Sequence, residues 1–139
     1  MNRTLSNLTF AASAILILAV TVGFVRAEVV TSVTDGDTVR VGDERIRLRG
    51  IDTPEIRSPR CREERRRGLE AKRALEEMLA GTEVQIERLG RDRYGRTLAI
   101  LRVDGVDVGS KLIARGLALP WHPGARDRAM RVAAWCGRS

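Results

Sequence analysis

Carboxylates and an arginine suited to a metal–phosphate site are concentrated between Thr34 and Glu55. The first motif, residues 35–38, reads DGDT, and the second, residues 52–55, reads DTPE and follows a segment that carries Arg47. Carboxylate oxygens bind hard cations, and a guanidinium group beside them can neutralise the charge of a phosphate. This set of residues predicts a metal-dependent phosphodiesterase that acts on nucleic acid.

Asp37 and Asp52 are the predicted metal ligands, because each lies at a predicted strand end and neighbouring strands can bring the two together. The two motifs contain no histidine or cysteine, so Ca²⁺ or Mg²⁺ is favoured over zinc or copper. Taken singly, each aspartate is better explained as a turn residue. The combination with Glu55, Arg47 and Arg96 favours a functional site.

Several side chains besides the ligand pair complete the predicted chemistry. Glu55 can accept a proton from a water beside the metal, as a general base. Arg47 and Arg96 can stabilise the extra negative charge of a five-coordinate phosphorus transition state. Tyr94 and Trp121 can stack on a nucleobase, at about 1–3 kcal/mol each. Each of these residues, taken alone, is also explained as an ordinary surface side chain.

The rest of the chain predicts the strands and helices that position these residues. Polar and apolar residues alternate with the period of two that is typical of strands in residues 28–33, 37–41, 44–49, 83–89 and 97–103. Helices are predicted for residues 63–80, 108–115 and 125–135, the first from an apolar stripe at helical spacing. This order predicts a mainly β fold with helices (α+β), namely a five-stranded OB-type barrel with three helices. Such barrels commonly bind nucleic acid.

The N-terminal residues 1–27 differ from the rest of the chain. Residues 8–25 form an uncharged, mostly apolar run, and the small residues Val25 and Ala27 suit a signal peptidase. We predict a cleaved signal peptide, with an uncleaved anchor over residues 8–25 as the alternative. Either way, residues 28–139 are expected to be exported, as a periplasmic or secreted protein. A chain of 139 residues predicts a single domain.

Cys61 and Cys136 are the two cysteines of the chain. Both lie in the predicted exported domain, where an oxidising environment favours disulfides. We predict a disulfide between them, which would tie the start of the first helix to the C-terminus. Two free thiols are the alternative.

The charge of the chain favours an anionic partner. Its formal net charge is +7, and a basic surface attracts polyanions such as nucleic acid. The arginine-rich segment of residues 57–67 is either a solvated loop and helix face or a further contact with nucleic acid. Hydrophobic residues make up 43% of the chain and charged residues 31%, a balance typical of a folded protein rather than a disordered one.

In combination and order, several motifs resemble those of the thermonuclease family, the staphylococcal-nuclease-like proteins. They are residues 35–38, residues 47–55, residues 92–96 with the sequence DRYGR, and residues 104–105 followed by 112–117. The resemblance extends over residues 29–117. It implies an OB-type barrel with three helices and a Ca²⁺-dependent endonuclease. Such an enzyme hydrolyses DNA and RNA at the bond to the 5′-oxygen and leaves 3′-phosphates.

The resemblance also implies roles for individual acids. Asp37, Asp52 and the backbone carbonyl of Thr53 are similar to the Ca²⁺ ligands of the family. Asp35 matches a nearby acid that supports the water shell of the metal.

The remaining site residues are assigned in the same way. The residues that resemble the catalytic set are Arg47, Glu55 and Arg96. Tyr94 matches a tyrosine that lines the nucleotide pocket, and we predict Arg93 and Trp121 as further substrate contacts. Typical members carry tyrosines after the position of Leu117, so whether Trp121 replaces them stays open.

The main alternative is a non-catalytic OB-fold protein that binds single-stranded nucleic acid. A structural envelope protein held by its N-terminal segment is a third possibility, and it leaves the acids and arginines unexplained. Because every residue of the catalytic set is present, hydrolysis is favoured. We expect a monomer that contacts a membrane only if the N-terminal segment is uncleaved. The choice between DNA and RNA stays open.

Overall fold

The computed structural model describes residues 27–137. They form nine strands and three helices. The predicted N-terminal leader lies outside the described residues except for Ala27, which is the first residue of the first strand. In residues 27–137 no helix is both long enough and apolar enough to cross a membrane.

The strands are short and the helices differ from their predicted bounds by at most one residue. The strands are β1 (Ala27–Val29), β2 (Ser32–Asp35), β3 (Thr38–Val41), β4 (Glu44–Leu48), β5 (Ile51–Asp52), β6 (Glu83–Arg91), β7 (Thr97–Val103), β8 (Val106–Asp107) and β9 (Leu119–Pro120). The helices are α1 (Arg62–Leu79), α2 (Val108–Ala114) and α3 (Ala125–Cys136).

The sheet begins with an antiparallel meander of β2, β3 and β4. β4 pairs in parallel with β7, which forms a long antiparallel hairpin with β6, and β1 pairs with the outer edge of β6. The strand order is therefore β1-β6-β7-β4-β3-β2, with β8 beside β7. This mostly antiparallel sheet with three helices confirms the predicted α+β, OB-type fold. Within the described part of the chain, no ladder between β1 and β2 closes the barrel.

Alternating side chains of the sheet and one stripe of α1 form the hydrophobic core. Ile46 and Leu48 of β4 and Leu101 of β7 are buried, while the residues between them are more exposed. Leu75 and Leu79 belong to the predicted apolar stripe of α1 and pack in the same cluster. Burial of each large aliphatic side chain stabilises the fold by about 2 kcal/mol. The opposite face of β4 is left for polar residues, among them Arg47.

Two segments differ from the predicted strands. The first predicted strand, residues 28–33, is divided into β1 and β2, which pair with β6 and β3 respectively. Residues 119–120 lie in no predicted strand, yet they form β9, which pairs with β5 and places Leu119 opposite Asp52. Pro120 is tolerated in β9 because this strand belongs to a two-stranded ladder in which both strands are edges.

The predicted disulfide between Cys61 and Cys136 is present. Cys61 is the N-cap of α1 and Cys136 is the last residue of α3, so the bond joins the beginning of one helix to the end of the other. Arg67 of α1 also donates a hydrogen bond to the carbonyl oxygen of Ala134, at 3.3 Å. A cross-link over a sequence separation of 75 residues stabilises the fold by about 4 kcal/mol in the chain-entropy model.

Candidate active site

The two acidic motifs lie against each other because the turn between β2 and β3 has no side chain at Gly36. A Cβ atom at this position would lie 2.8 Å from the Cβ atom of Ala71 in α1 and 2.8 Å from the Oγ1 atom of Thr53. Contacts this short are not tolerated, so glycine is needed for the close approach. The DGDT turn is thereby packed directly on the residue that follows Asp52.

Asp37 is buried and its carboxylate is held by three groups. Its Oδ1 atom accepts a hydrogen bond from the hydroxyl of Thr38 at 2.9 Å. Its Oδ2 atom forms an ion pair with Arg47 and accepts a hydrogen bond from the backbone N–H of Thr53 at 3.4 Å. The backbone carbonyl of Asp37 accepts from the N–H of Leu48 at 2.8 Å. Asp37 is therefore fixed between β4 and the second motif.

Arg47 connects the two predicted metal ligands. It lies in β4 opposite Thr38, and its Nη2 atom is 2.9 Å from Oδ1 of Asp52 while Nη1 pairs with Asp37. The Nη2 atom also donates to the carbonyl oxygen of Ile51 at 3.2 Å. Burial by itself would lower the pKa of Arg47, but the charges and hydrogen bonds of Asp37 and Asp52 outweigh burial and raise the pKa. The guanidinium group is thus held in its charged form.

Asp52 has a second arginine partner that sequence reasoning missed. The Nε atom of Arg131, in α3, donates to Oδ2 of Asp52 at 2.9 Å, and its Nη1 atom donates to the carbonyl oxygen of His122 at 3.3 Å. Arg131 is only 8% exposed. One signal was available in the sequence, because Arg131 lies four residues before the buried Trp135 and hence on the inward face of the helix.

Glu55 follows Pro54, and its backbone is hydrogen-bonded to a side chain of α1. Its backbone N–H donates to Oε1 of Glu64 at 3.4 Å, and the N–H of Arg60 donates to Oε2 of the same residue at 2.5 Å. A Cβ atom at Gly68 would lie 2.5 Å from the carbonyl oxygen of Pro54, so glycine lets α1 approach this segment closely. Glu64, 1% exposed, was also missed, although a carboxylate three residues after an N-cap is a known capping signal.

Glu64 is not a metal ligand in a second site. Ligand atoms of Cys61, Glu64 and Cys136 lie within 4.8 Å of one another. Both sulfur atoms are bonded in the disulfide, so no thiolate is present to bind a cation. The role of Glu64 is to hold the backbone on either side of the loop between Glu55 and Arg60.

Burial and neighbouring carboxylates raise the pKa of Glu55 and of Asp35. The pKa of Glu55 is raised by partial burial and then by the charges of Asp35, Asp37 and Asp52. The pKa of Asp35 is raised by burial and by Asp37, against the opposing effects of a hydrogen bond from Gly36 and of nearby arginines. These shifts indicate an excess of negative charge in a small, partly desolvated space.

This donor set fits a divalent cation. Asp37 and Asp52 offer hard oxygen ligands, and the backbone of Thr53 is adjacent to both. A carboxylate has about four lone-pair positions, so hydrogen bonds to Arg47 and Arg131 leave acceptor capacity on Asp52. A cation bound there would offset the repulsion that raises the pKa of Asp35 and Glu55.

Arg96 is not brought into contact with these carboxylates. Its guanidinium group pairs with Asp92 in the turn between β6 and β7, with Nε and Nη2 each 2.7 Å from Oδ2. Burial alone would raise the pKa of Asp92, but the hydrogen bonds from Arg96 and from the backbone of Tyr94 lower it. In sequence, Arg96 comes immediately before β7, two residues ahead of Leu98, which is the parallel partner of Arg47.

The predicted substrate contacts are exposed. The guanidinium carbon of Arg93 lies 4.8 Å from the ring centroid of Tyr94, and that of Arg96 lies 5.5 Å from it. Tyr94 is 65% exposed and Trp121 is 46% exposed. The backbone N–H of Trp121 donates to the carbonyl oxygen of Gly50, which places Trp121 just beyond the ladder that holds Asp52.

Fold and site together define a class of protein. It is a small OB-type α+β domain that carries a cluster of acids and arginines beside β4. Residues 45–131 match the family model described as staphylococcal nuclease homologue. The matched range contains Arg47, Asp52, Glu55, Arg96 and Arg131. The chain belongs to this family, and the predicted resemblance is confirmed.

Individual relatives agree with this assignment. The chain is 38% identical over 100 residues to the probable staphylococcal-like nuclease CAN1 of Oryza sativa subsp. japonica, covering 72% of this chain and 28% of that protein. It is 37% identical over 95 residues to the thermonuclease of Staphylococcus intermedius, covering 64% and 56%. It is 40% identical over 94 residues to the succinoglycan biosynthesis protein ExoI of Rhizobium meliloti (strain 1021), covering 63% and 49%. The chain thus spans from 28% to 56% of the length of these relatives.

Proposed function

We propose that this protein is a metal-dependent nuclease that hydrolyses phosphodiester bonds of DNA or RNA. The observation that carries the proposal is the meeting of Asp37, Arg47 and Asp52 in one partly buried cluster, with Glu55 beside it, although they come from separate motifs. Membership of the staphylococcal nuclease homologue family and relatives named as nucleases support it.

The proposed cation is Ca²⁺, held by Asp37, Asp52 and the carbonyl of Thr53. Asp35 would support its water shell. When bound, the cation supplies positive charge next to the phosphate and makes a bound water more acidic. Arg47 fixes the relative placement of the two carboxylates through its paired hydrogen bonds.

Glu55 and the two arginines provide the proposed chemistry. The raised pKa of Glu55 suits a base that takes a proton from the attacking water. Arg47 and Arg96 would donate hydrogen bonds to the phosphate oxygens as negative charge develops on them. As the water oxygen bonds to phosphorus, the bond between phosphorus and the 5′-oxygen breaks. The 5′-oxygen takes up a proton from solvent and leaves as a hydroxyl, and the other product carries a 3′-phosphate. Arg96 must turn from Asp92 to take part.

Exposed aromatic and basic residues would bind the nucleic acid chain. Tyr94 and Trp121 offer faces for stacking on bases, and Arg93 lies beside Tyr94. The net charge of +7 favours the encounter with a polyanion. We further propose that the protein is exported, because a disulfide of the kind that joins Cys61 to Cys136 persists in oxidising compartments. We also propose that it is a monomer.

Cleavage assays on the purified protein test the proposal. Labelled DNA and RNA are incubated with Ca²⁺, with Mg²⁺ and with chelator, and the ends of the products are identified. Cleavage is expected with Ca²⁺ and is abolished by chelator. Glu55→Ala and Arg96→Ala are each expected to lower the rate by about a hundredfold or more.

Matched controls are available on the β6–β7 hairpin, where Glu87 and Arg102 form an ion pair outside the acidic motifs and the arginine-rich segment. Glu87→Ala and Arg102→Ala are expected to cleave at the unmodified rate. Equal rates for the site variants and these controls would remove the assigned roles.

A second candidate is a protein that binds single strands without cutting them. The pairing of Arg96 with Asp92 is the observation that favours it, because one proposed catalytic arginine is engaged elsewhere. Tight binding of single-stranded nucleic acid with no cleavage under any metal would select this candidate over the nuclease.

A further inference from the structure

We infer that Arg131 is a positioning residue that holds the carboxylate of Asp52 in the orientation needed to bind the cation. The inference deepens the proposed metal site and rests on the proposed function. It assigns to α3, which lies outside the acidic motifs, a direct part in shaping the site.

The geometry places Asp52 between two guanidinium groups. Arg47 donates to Oδ1 and Arg131 donates to Oδ2, both at 2.9 Å. A carboxylate group on aspartate rotates broadly about its last torsion. A single partner on Oδ1 would leave Oδ2 free to swing, whereas partners on both oxygens fix the plane of the group. The remaining lone pairs then keep a constant direction.

The backbone around Asp52 makes such a clamp necessary. Asp52 ends β5, a strand of two residues whose ladder is the short pairing with β9. A ladder this short restrains the side chain weakly. Arg131 also donates to the carbonyl oxygen of His122, which follows β9. It therefore connects this segment to the carboxylate of Asp52, whose strand pairs with β9.

Stability alone gives little reason for an arginine at this position. A guanidinium group that is mostly buried loses its hydration, and an ion pair in such a place is often no more stabilising than well-packed apolar side chains. Position 131 lies on the inward face of α3, four residues before the buried Trp135, where an apolar residue would pack. The benefit of arginine here is the direction of its hydrogen bonds.

The position of Arg131 is itself fixed by the end of α3. The disulfide holds Cys136 against the N-cap of α1, and Arg67 binds the carbonyl oxygen of Ala134. Arg131 therefore approaches Asp52 from an element that is cross-linked to the rest of the domain. The clamp is built from parts of the chain separated by 79 residues.

The test must separate orientation from charge, because Arg131 also repels a cation bound at Asp52. Arg131→Lys keeps the positive charge but lacks the planar set of donors that reaches both Asp52 and His122. Arg67→Lys is the matched control. Arg67 joins α1 to α3 through a hydrogen bond to a backbone carbonyl, but it contacts no carboxylate of the proposed metal site. Arg131→Gln is prepared in parallel, so that a folding failure of one variant does not end the test.

Tb³⁺ bound to the full protein is the probe, and its luminescence lifetimes in H₂O and D₂O give the number of waters bound to the ion. If Asp52 loses its orientation, a water replaces its oxygen, so about one more water is expected in Arg131→Lys and Arg131→Gln. The dissociation constant for Ca²⁺, measured by calorimetry, is expected to rise about tenfold in Arg131→Lys. Arg67→Lys is expected to match the unmodified protein in both measurements.

The two levels of the proposal fail in different ways. If the unmodified protein binds neither ion and cleaves no nucleic acid, the proposed function is wrong and the role of Arg131 falls with it. If the protein binds Ca²⁺ and cleaves, but folded Arg131→Lys has the unmodified water count and Ca²⁺ affinity, the inference alone is overturned.

Discussion

Two clusters of arginine and carboxylate groups in this protein use the same chemistry in different surroundings. The site cluster consists of Asp37, Arg47, Asp52 and Arg131. The helix cluster, on the surface of α1, consists of Glu63, Arg66, Arg67 and Glu70. Ion pairs in both clusters are in hydrogen-bond contact, for example 2.9 Å between Arg47 and Asp52 and 2.6 Å between Arg66 and Glu63. Side chains of the site cluster are 7–22% exposed, whereas those of the helix cluster are 42–62% exposed.

The contribution of an ion pair to stability depends on its burial and on the sequence separation of its partners, rather than on the distance between the charged atoms. The helix cluster uses neighbours three and four residues apart, so it forms as soon as α1 forms. Hydrogen bonds from Arg66 and Arg67 lower the pKa of Glu63 to about 2, but water and salt screen the exposed charges. The site cluster joins the β2–β3 turn, β4, β5 and α3. Removal of one partner would leave a poorly hydrated charge behind. The following variants test this contrast, from the largest expected effect on stability to the smallest.

Loss of the disulfide, which holds the end of the helix that carries Arg131, should have the largest effect. The double variant Cys61→Ser/Cys136→Ser is expected to lose about 4 kcal/mol of unfolding free energy, since its unfolded chain is no longer cross-linked. Urea unfolding measures this loss. Reduction of the unmodified protein should reproduce it, and an unchanged midpoint in both experiments would contradict the stabilising role of the cross-link.

Removal of Arg47 should have the next largest effect. Arg47→Met leaves Asp37 and Asp52 without their shared partner, and we expect a loss of about 3 kcal/mol. Arg66→Met makes the same chemical change in the helix cluster and is expected to leave the urea midpoint unchanged. Equal losses for the two variants would mean that burial does not distinguish the clusters.

The packing of the DGDT turn should be sensitive to one methyl group. Gly36→Ala is expected to lose about 2 kcal/mol, because the added carbon overlaps Ala71 and Thr53. The control is Ala71→Gly, alone and combined with Gly36→Ala. If the overlap is the cause, the double variant loses less than the sum of the two single changes. Simple additivity would indicate another cause.

The helix cluster should show the smallest effect, and salt should remove it. The pKa of Glu63 in the folded protein is about 2, below its ordinary value of 4.5. The stabilisation from Glu63 is therefore present above about pH 4.5 and is lost as the pH falls towards 2. Glu63→Gln is expected to shift the thermal midpoint slightly at pH 7 and low salt. The shift should vanish in about 1 M NaCl, where the Debye length is about 3 Å, and a shift that persists there would contradict an exposed, screened pair.

The site was only partly predictable from the sequence. Asp37 and Asp52 were expected to meet, because each lies at the end of a predicted strand and neighbouring strands can bring them together. The register that places Thr38 opposite Arg47 came from the structure. The carboxylates that pair with Arg96 and Arg131 were not predicted. Arg96 has a carboxylate four residues away in its own turn and pairs with it, whereas Arg131 has its partner 79 residues away.

The sequence by itself determined the local elements and the types of chemistry. Period-two alternation predicted strands, apolar residues at helical spacing predicted the first helix, and two cysteines in an exported domain predicted the disulfide. These predictions succeed because they depend on short-range sterics and on composition. Only the tertiary structure decided that Gly36 and Gly68 serve close packing, that β9 supports Asp52, and that Arg131 rather than Arg96 completes the buried cluster. The physical reason is that a guanidinium group can pair with any carboxylate in reach. Which carboxylate is in reach depends on how distant elements pack.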